Sequence, residues 1–322
     1  MNNPQKSPSV GAVVVTWNSS RDIVKCLNSL LSQSHPLSEI IIIDNHSSDN
    51  TVELLRAFSS NIKLIENTEN AGFARANNQA IAELSTDWIF TLNPDAWVEA
   101  DFVETLLNFS QDKHNIGTLG GKLLQADSVE SGKPLLDSLG IEIFRSRRVR
   151  DFAMRQPAST APTKPFRVFG ICAAAALYRR EMLNDTMIDD EIFPVSFFSY
   201  YEDTDLAWRS WRRGWQAWTV PDAVGFHRRG GSPTGNRFSR TLTHRNLLWM
   251  IARNESLWKT LTAMPEIAGH IALMKLRMLR YPYLFKATFE AWAGLSEANS
   301  ARCKLRSTNP EPPPFKKGVG FS

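Results

Sequence analysis

Between residues 10 and 92, four apolar runs of strand length alternate with stretches of helical periodicity, and this alternation constrains the fold more than any other feature of the chain. Residues 10–15 form a continuous β-rich run, the pattern of a strand covered on both faces. A polar break at 16–20 follows, and then Ile23, Leu27, Leu30 and Leu31 recur at helical spacing, with Ser20 or Asp22 available as N-cap. Residues 39–43 give a second buried strand that stops at the polar stretch 44–49. A short helix with Val52, Leu55 and Phe58 leads to a strand over 62–65. Phe73, Ala76, Ala80 and Ile81 then form one helical stripe, and a strand over 88–92 ends at Asn93-Pro94-Asp95. This βαβαβαβ order predicts an α/β fold with a mostly parallel sheet and helices on both faces. Ligands of such sheets bind beyond the carboxyl ends of the strands, where the polar clusters 16–18, 44–49 and 93–95 fall.

The rest of the chain reads differently. Short mixed strands are expected over 117–152 and another strand over 166–177. Residues 197–213 begin aromatic and become an acidic-then-basic helix. The Gly, Ser, Arg and Thr content of 227–245 predicts a loop, and 246–294 is largely helical. These changes divide the chain into a flexible N-terminus (1–9), two halves of one α/β domain (10–110 and 111–245), a C-terminal helical region (246–295) and a disordered tail (296–322).

With 43% hydrophobic residues the 322-residue chain has enough apolar material for such a domain, which excludes an intrinsically disordered protein. Three scattered cysteines, Cys26, Cys172 and Cys303, offer neither a disulfide framework nor CxxC spacing, so a reducing compartment and no Cys-rich zinc site are expected. No signal-peptide pattern or spanning apolar stretch is present, which predicts a cytoplasmic protein. Net charge is +4, but residues 271–322 hold nine Lys/Arg against three Glu, leaving the body at −2. A near-neutral body with a basic end predicts contact with an anionic surface and no nucleic-acid binding.

The first βα turn lacks GxGxxG, and GxxxxGK[ST], GxSxG and HExxH are absent, which argues against dinucleotide dehydrogenases, P-loop enzymes and the commonest hydrolases. Asp44, ending a buried strand, is suited to accept the imide N–H of uracil or thymine; an Asx turn is the alternative. Asp95 is a hard oxygen ligand on a stiff Asn-Pro-Asp turn, fit for a divalent cation or simply for ending the strand. Glu202, Asp203 and Asp205 follow an aromatic run, where desolvation and mutual repulsion raise a carboxyl toward general-base work; the same acids also suit a helix N-terminus. Glu202 and Asp205, three apart, share nearly one face, so burying both needs compensation. His227, followed by Arg228 and Arg229, is either a metal or phosphate contact or a structural residue.

In order and spacing, six stretches resemble the family-2 inverting glycosyltransferases of GT-A fold, in particular the bacterial rhamnosyltransferase-like branch. They are Val13-Val-Val-Thr-Trp-Asn18, Ile41-Ile-Ile-Asp-Asn-His-Ser-Ser-Asp49, Asn70-Ala-Gly-Phe-Ala-Arg-Ala-Asn77, Leu92-Asn-Pro-Asp95, residues 170–180 and Tyr201-Glu-Asp-Thr-Asp-Leu-Ala-Trp-Arg209. The resemblance implies that 10–110 binds the nucleotide sugar and 111–245 the acceptor. Thr16, Asn18, Asp44, Asn70, Gly72, Arg75 and Asn93 would then lie along a dTDP- or UDP-linked donor. Asp95 and His227 would hold Mg²⁺ or Mn²⁺, and Asp203 would be the catalytic base. Asn93 stands where the family's DxD motif begins with Asp. The implied reaction is single, inverting transfer of a sugar, rhamnose by branch, to a glycan or lipid-linked saccharide, since QxxRW of processive synthases is absent. A sugar nucleotidyltransferase and a non-catalytic nucleotide-sugar-binding module are the alternatives. Basic, apolar helices near the C-terminus are expected either to meet the cytoplasmic face of a membrane, to pack on the domain or to form a homodimer.

Overall fold

The computed structural model describes residues 7–229, 236–309 and 313–316. The first part runs β1 (Val10–Thr16), α1 (Ile23–Leu31), β2 (Glu39–Asp44), α2 (Thr51–Arg56), β3 (Lys63–Glu66), α3 (Gly72–Glu83) and β4 (Trp88–Leu92). It continues with β5 (Ala96–Val98), α4 (Phe102–Ser110), β6 (Ile116–Gln125), α5 (Ala126–Glu130), β7 (Leu136–Ser138), β8 (Ile141–Ile143) and β9 (Val149–Asp151). Then come β10 (Phe166–Val168), β11 (Ala175–Arg179), α6 (Arg180–Thr186), α7 (Glu202–Arg213) and β12 (Gln216–His227). Helices α8 (Asn236–Asn254), α9 (Leu257–Thr262), α10 (Met264–Arg280), α11 (Leu284–Ala293) and α12 (Leu295–Lys304) follow.

The main sheet has the order β10-β12-β6-β11-β4-β1-β2-β3. β3, β2, β1 and β4 are mutually parallel, β11 runs against β4 and β6, and β12 is again parallel to β6. Strand alternation explains why both faces need helices. Val10, Ala12 and Val14 of β1 join Ile23, Leu27 and Leu30 of α1 and Phe102 and Leu106 of α4. Val13 points the other way, toward Ala76, Ala80 and Ile81 of α3, Met182 of α6 and Leu206 of α7.

Three expectations change. The strand expected over 166–177 is two, β10 and β11, set at different places in the sheet. The loop expected over 227–245 gives way to α8 from Asn236, with 230–235 outside the described residues. Its buried side includes His244 and Asn246 beside Leu242, Leu247 and Met250, so polar residues interrupt the apolar stripe. The tail expected to be disordered from 296 is helical to Lys304, where Ala298 and Ala301 are buried, Ala301 against Ile188 and Leu305. Small residues give little hydrophobic signal. Residues 310–312 and 317–322 of that tail, and 1–6 of the flexible N-terminus, lie outside the described residues.

The C-terminal helices close on the domain through α7. Leu247 and Met250 of α8 pack with Phe197, Trp208, Ile141 and Ile143. Beneath that contact Asp205 is fully buried, accepting from Arg209 Nε at 2.8 Å, Arg253 Nε at 3.3 Å and Asn254 Nδ2 at 2.7 Å. Burial alone would raise this carboxyl, but the Arg253 and Arg209 guanidiniums hold it below the usual range. Asp205→Ala leaves Arg209, itself fully buried, without its carboxylate. The expected loss is about 3–5 kcal/mol of unfolding free energy in urea titration, whereas a loss under ~1 kcal/mol would show that the cluster does not hold α7 to α8.

Candidate active site

A cleft of about 790 Å³ opens at the carboxyl ends of β1 and β4. Thr16, Asn18, Asn70, Gly72, Asn93, Asp95, Asp203 and His227 all line it. Asp44 stands behind this wall, 1% exposed, accepting from Thr16 Oγ1 at 2.8 Å, Ser47 N at 2.9 Å and Ser47 Oγ at 2.5 Å. Its carboxylate thus ties the end of β1 to the turn after β2. Asn18, in the left-handed region at φ 51°, completes the tie by accepting from Ser48 N at 2.7 Å. Asn70 Oδ1 accepts from Gly72 N at 3.0 Å, while Arg75 is exposed on α3 and does not line the cleft.

His227, at the end of β12, faces two carboxylates. Its Nε2 is 3.3 Å from Asp95 Oδ1 and its Nδ1 is 2.9 Å from Asp137 Oδ2. Asp137, fully buried on β7, also accepts from Arg229 Nε at 2.5 Å, and Arg229 Nη2 donates to Asp151 at 2.6 Å. Burial works against an imidazolium here, yet Asp137 and Asp95 raise His227 to about 9. An Nδ1–H donated to Asp137 leaves Nε2 facing Asp95, the orientation that metal-ligating histidines take from a carboxylate behind them. Asp95 and His227 supply one oxygen and one nitrogen ligand, and no cluster of three metal-binding side chains occurs among the described residues. This donor set suits an open site completed by water and substrate oxygens. Asp137 and Arg229 were not singled out by sequence reasoning as the partners that orient His227, because Asp137 sits in a three-residue strand with no local motif.

The profile of Glycosyl transferase family 2 matches residues 12–187. The chain belongs to that family. It is similar over 289 residues, at 26% identity, to an N-acetylglucosaminyl-diphospho-decaprenol L-rhamnosyltransferase of Mycobacterium tuberculosis, with 83% of this chain and 92% of the relative covered. Among solved structures, the mannosyltransferase PcManGT from Pyrobaculum calidifontis, in complex with GDP-Man and Mn²⁺, superposes with a TM-score of 0.54 at 19% identity, covering 94% of this chain and 88% of that one. GalNAc-T7 with UDP, GalNAc and Mn²⁺ gives 0.58 at 14% identity over 77% of this chain, which spans about half of that protein (48%). These likenesses establish the GT-A fold.

In this glycosyltransferase, Glu202 and Asp203 open α7 at the cleft wall. Asp203 is half-buried; its Oδ2 accepts from Ala173 N at 3.3 Å, and its Oδ1 from Thr204 N at 2.6 Å and Thr204 Oγ1 at 3.2 Å. Burial raises its carboxyl, the Ala173 and Thr204 donors pull it down, and Asp151 adds to the rise; the net shift is upward. The approach to this pair is strained, with Phe198, Tyr200 and Tyr201 at φ 64°, 72° and 72°.

Two residues hold that backbone. The fully buried Asn246 of α8 donates its Nδ2 to the carbonyls of Phe197 and Ser199 at 2.9 Å and of Tyr200 at 2.8 Å. Gly72, at φ +82°, admits the loop: a Cβ there would stand 2.6 Å from the Phe198 ring and 2.7 Å from its carbonyl oxygen. Asn246→Ala is expected to lower stability by about 1–3 kcal/mol, from the buried carbonyls left without a donor. It is also expected to lower kcat more than donor affinity, read by turnover alongside nucleotide binding; an unchanged kcat would show that the loop holds without it.

Proposed function

We propose that this glycosyltransferase moves L-rhamnose from a dTDP- or UDP-linked donor to a hydroxyl of a glycan or lipid-linked saccharide, one sugar per encounter and with inversion. The observation that carries the proposal is the meeting of Asp95, His227 and Asp203, far apart in sequence, in one cleft beyond the parallel strands. The similarity to a lipid-linked rhamnosyltransferase supports the sugar and the acceptor class. Thr16, Asn18, Asn70, Gly72 and Asn93 provide the wall along which the nucleotide lies. Asp95 and His227 are the residues that would hold Mg²⁺ or Mn²⁺, a cation that when bound neutralises charge growing on a departing diphosphate. Asp203 takes the proton of the acceptor hydroxyl as its oxygen attacks the anomeric carbon from the side opposite the leaving group. One displacement inverts the configuration and needs no covalent sugar–protein intermediate.

Turnover of dTDP-L-rhamnose or its UDP counterpart, screened with Mn²⁺ and Mg²⁺, tests this reading. Asp203→Asn is expected to lower kcat by about 10²–10⁴-fold while leaving nucleotide binding intact. Asp95→Ala and His227→Ala are expected to abolish stimulation by metal, and NMR of the product is expected to show the inverted anomer. Wild-type turnover by Asp203→Asn, or retained configuration, would contradict the mechanism.

A peripheral position at an anionic membrane surface fits a lipid-linked acceptor. Helix α11 buries Leu284, Ala287 and Ala291 on one side, with Trp249 Nε1 of α8 donating to the Ala291 carbonyl at 2.9 Å. Its other side presents Phe285, Phe289 and Trp292, 54%, 78% and 72% exposed. Trp258 of α9 and Leu279 of α10 are each 73% exposed. Residues 257–293 carry Lys259, Lys275, Arg277, Arg280 and Lys286 against Glu266 and Glu290, a charge that favours anionic lipid. Among the described residues no helix is long and apolar enough to cross a membrane. Vesicles of phosphatidylglycerol and phosphatidylcholine are expected to float the wild-type chain in a salt-sensitive manner and to lose Phe289→Ser/Trp292→Ser. Equal flotation of both, or a dimer that the double variant dissolves, would overturn the membrane assignment.

A further inference from the structure

Glu202 lines the cleft yet has no part in the transfer step derived above. It is 6% exposed, and among the described residues its Oε2 has no hydrogen-bond partner. Arginines of the same cleft wall and of α7 and α8 have carboxylate partners of their own. Arg229 donates to Asp137 and Asp151, and Arg209 and Arg253 donate to Asp205. The charged neighbour it does have is Asp203 on its own helix, while Tyr178 of β11 senses both carboxyls, and Asp151 of β9 and Cys172 face Asp203.

Two adjacent carboxyls shielded from solvent do not both ionise readily, and their surroundings differ. Asp203 receives three donors, which favour its anion. The orphaned oxygen of Glu202 receives none, so a proton is best placed there, where it turns a buried acceptor into a donor that needs a partner in the cleft. We propose that Glu202 is the neutral acid of the pair and gives its O–H to a sugar hydroxyl of the acceptor beside the attacking one, while Asp203 stays ionised. The inference rests on Asp203 being the base, and it adds a residue that reads the acceptor's hydroxyl pattern. Burial, and then the charge of Asp203, raise Glu202 to about 8, in keeping with this assignment.

The direct test is carbon-13 NMR of the full chain labelled at glutamate Cδ, with the Glu202 signal identified by its loss in Glu202→Gln. The signal is expected to titrate near pH 8 and to move to lower pH in Asp203→Asn; titration in the ordinary glutamate range would overturn the proposal. A carboxyl that binds its proton more tightly in the native state makes stability fall as pH rises between its unfolded and native values. Glu202→Gln is therefore expected to remove part of the stability loss between about pH 5 and pH 8.

With dTDP-L-rhamnose as donor and octyl N-acetylglucosaminide as acceptor probe, Glu202→Gln keeps a neutral donor. It is expected to stay within a few-fold of wild type and to lose less activity above pH 8. Glu202→Leu is expected to raise acceptor KM about tenfold. Equal damage from Gln and Leu would overturn the donor role. Should Asp203→Asn remain fully active while Glu202 still titrates high, the base assignment fails and the protonated Glu202 stands. If the probe sugars are not turned over, the carbon-13 titration and the stability profile decide alone.

Discussion

A buried carboxylate shared between two helices underlies the working geometry of this glycosyltransferase. Asp205 of α7 draws Arg209 from its own helix and Arg253 and Asn254 from α8 into one buried cluster. Leaving any member unmatched there is costly, so α8 is fixed against α7. Asn246, two turns earlier on α8, can then reach the left-handed backbone that delivers Glu202 and Asp203 to the cleft. The family profile ends at residue 187; α7, α8 and His227 all lie beyond it. The candidate base and the second candidate metal ligand thus both lie outside the matched segment.

Three positions along the first turn of α7 show how surroundings sort identical chemistry. Asp205 meets two guanidiniums and is held low. Glu202, three residues before it and nearly as buried, meets none and is pushed up. Asp203 sits between, half-buried and furnished with donors. The sequence anticipated that Glu202 and Asp205 could not both be buried without compensation. The structure pairs only Asp205 with guanidiniums, and Glu202 lines the cleft.

The parallel strands were legible because burial on both faces leaves unbroken apolar runs, and the cleft was legible because those runs end in polar clusters. Asp95 and Asp203 stood out as candidates by their positions after a strand and at the start of a helix, and the family resemblance gave them their expected roles. Other features depend on contacts across long separations and leave no local trace. Asp137 reaches His227 ninety positions away, and Asn246 holds carbonyls forty-six to forty-nine positions back. The start of α8 was read as a loop because Gly, Ser, Arg and Thr dominate 227–245, and nearly all of α12 as disordered, its buried residues being alanines. Asp44 admitted two readings; the geometry shows its oxygens engaged with Thr16 and Ser47.

Everything proposed for the reaction requires that Asp95 and His227 address one cation beside the donor, with Asp203 across the cleft. Anomalous diffraction from crystals soaked with Mn²⁺ and dTDP measures this directly. The expected result is a manganese peak within bonding distance of Asp95 and His227 Nε2 and of the nucleotide's diphosphate, with Asp203 outside its ligand shell. A nucleotide bound in the cleft with manganese elsewhere, or with Asp203 as the metal ligand, would contradict it.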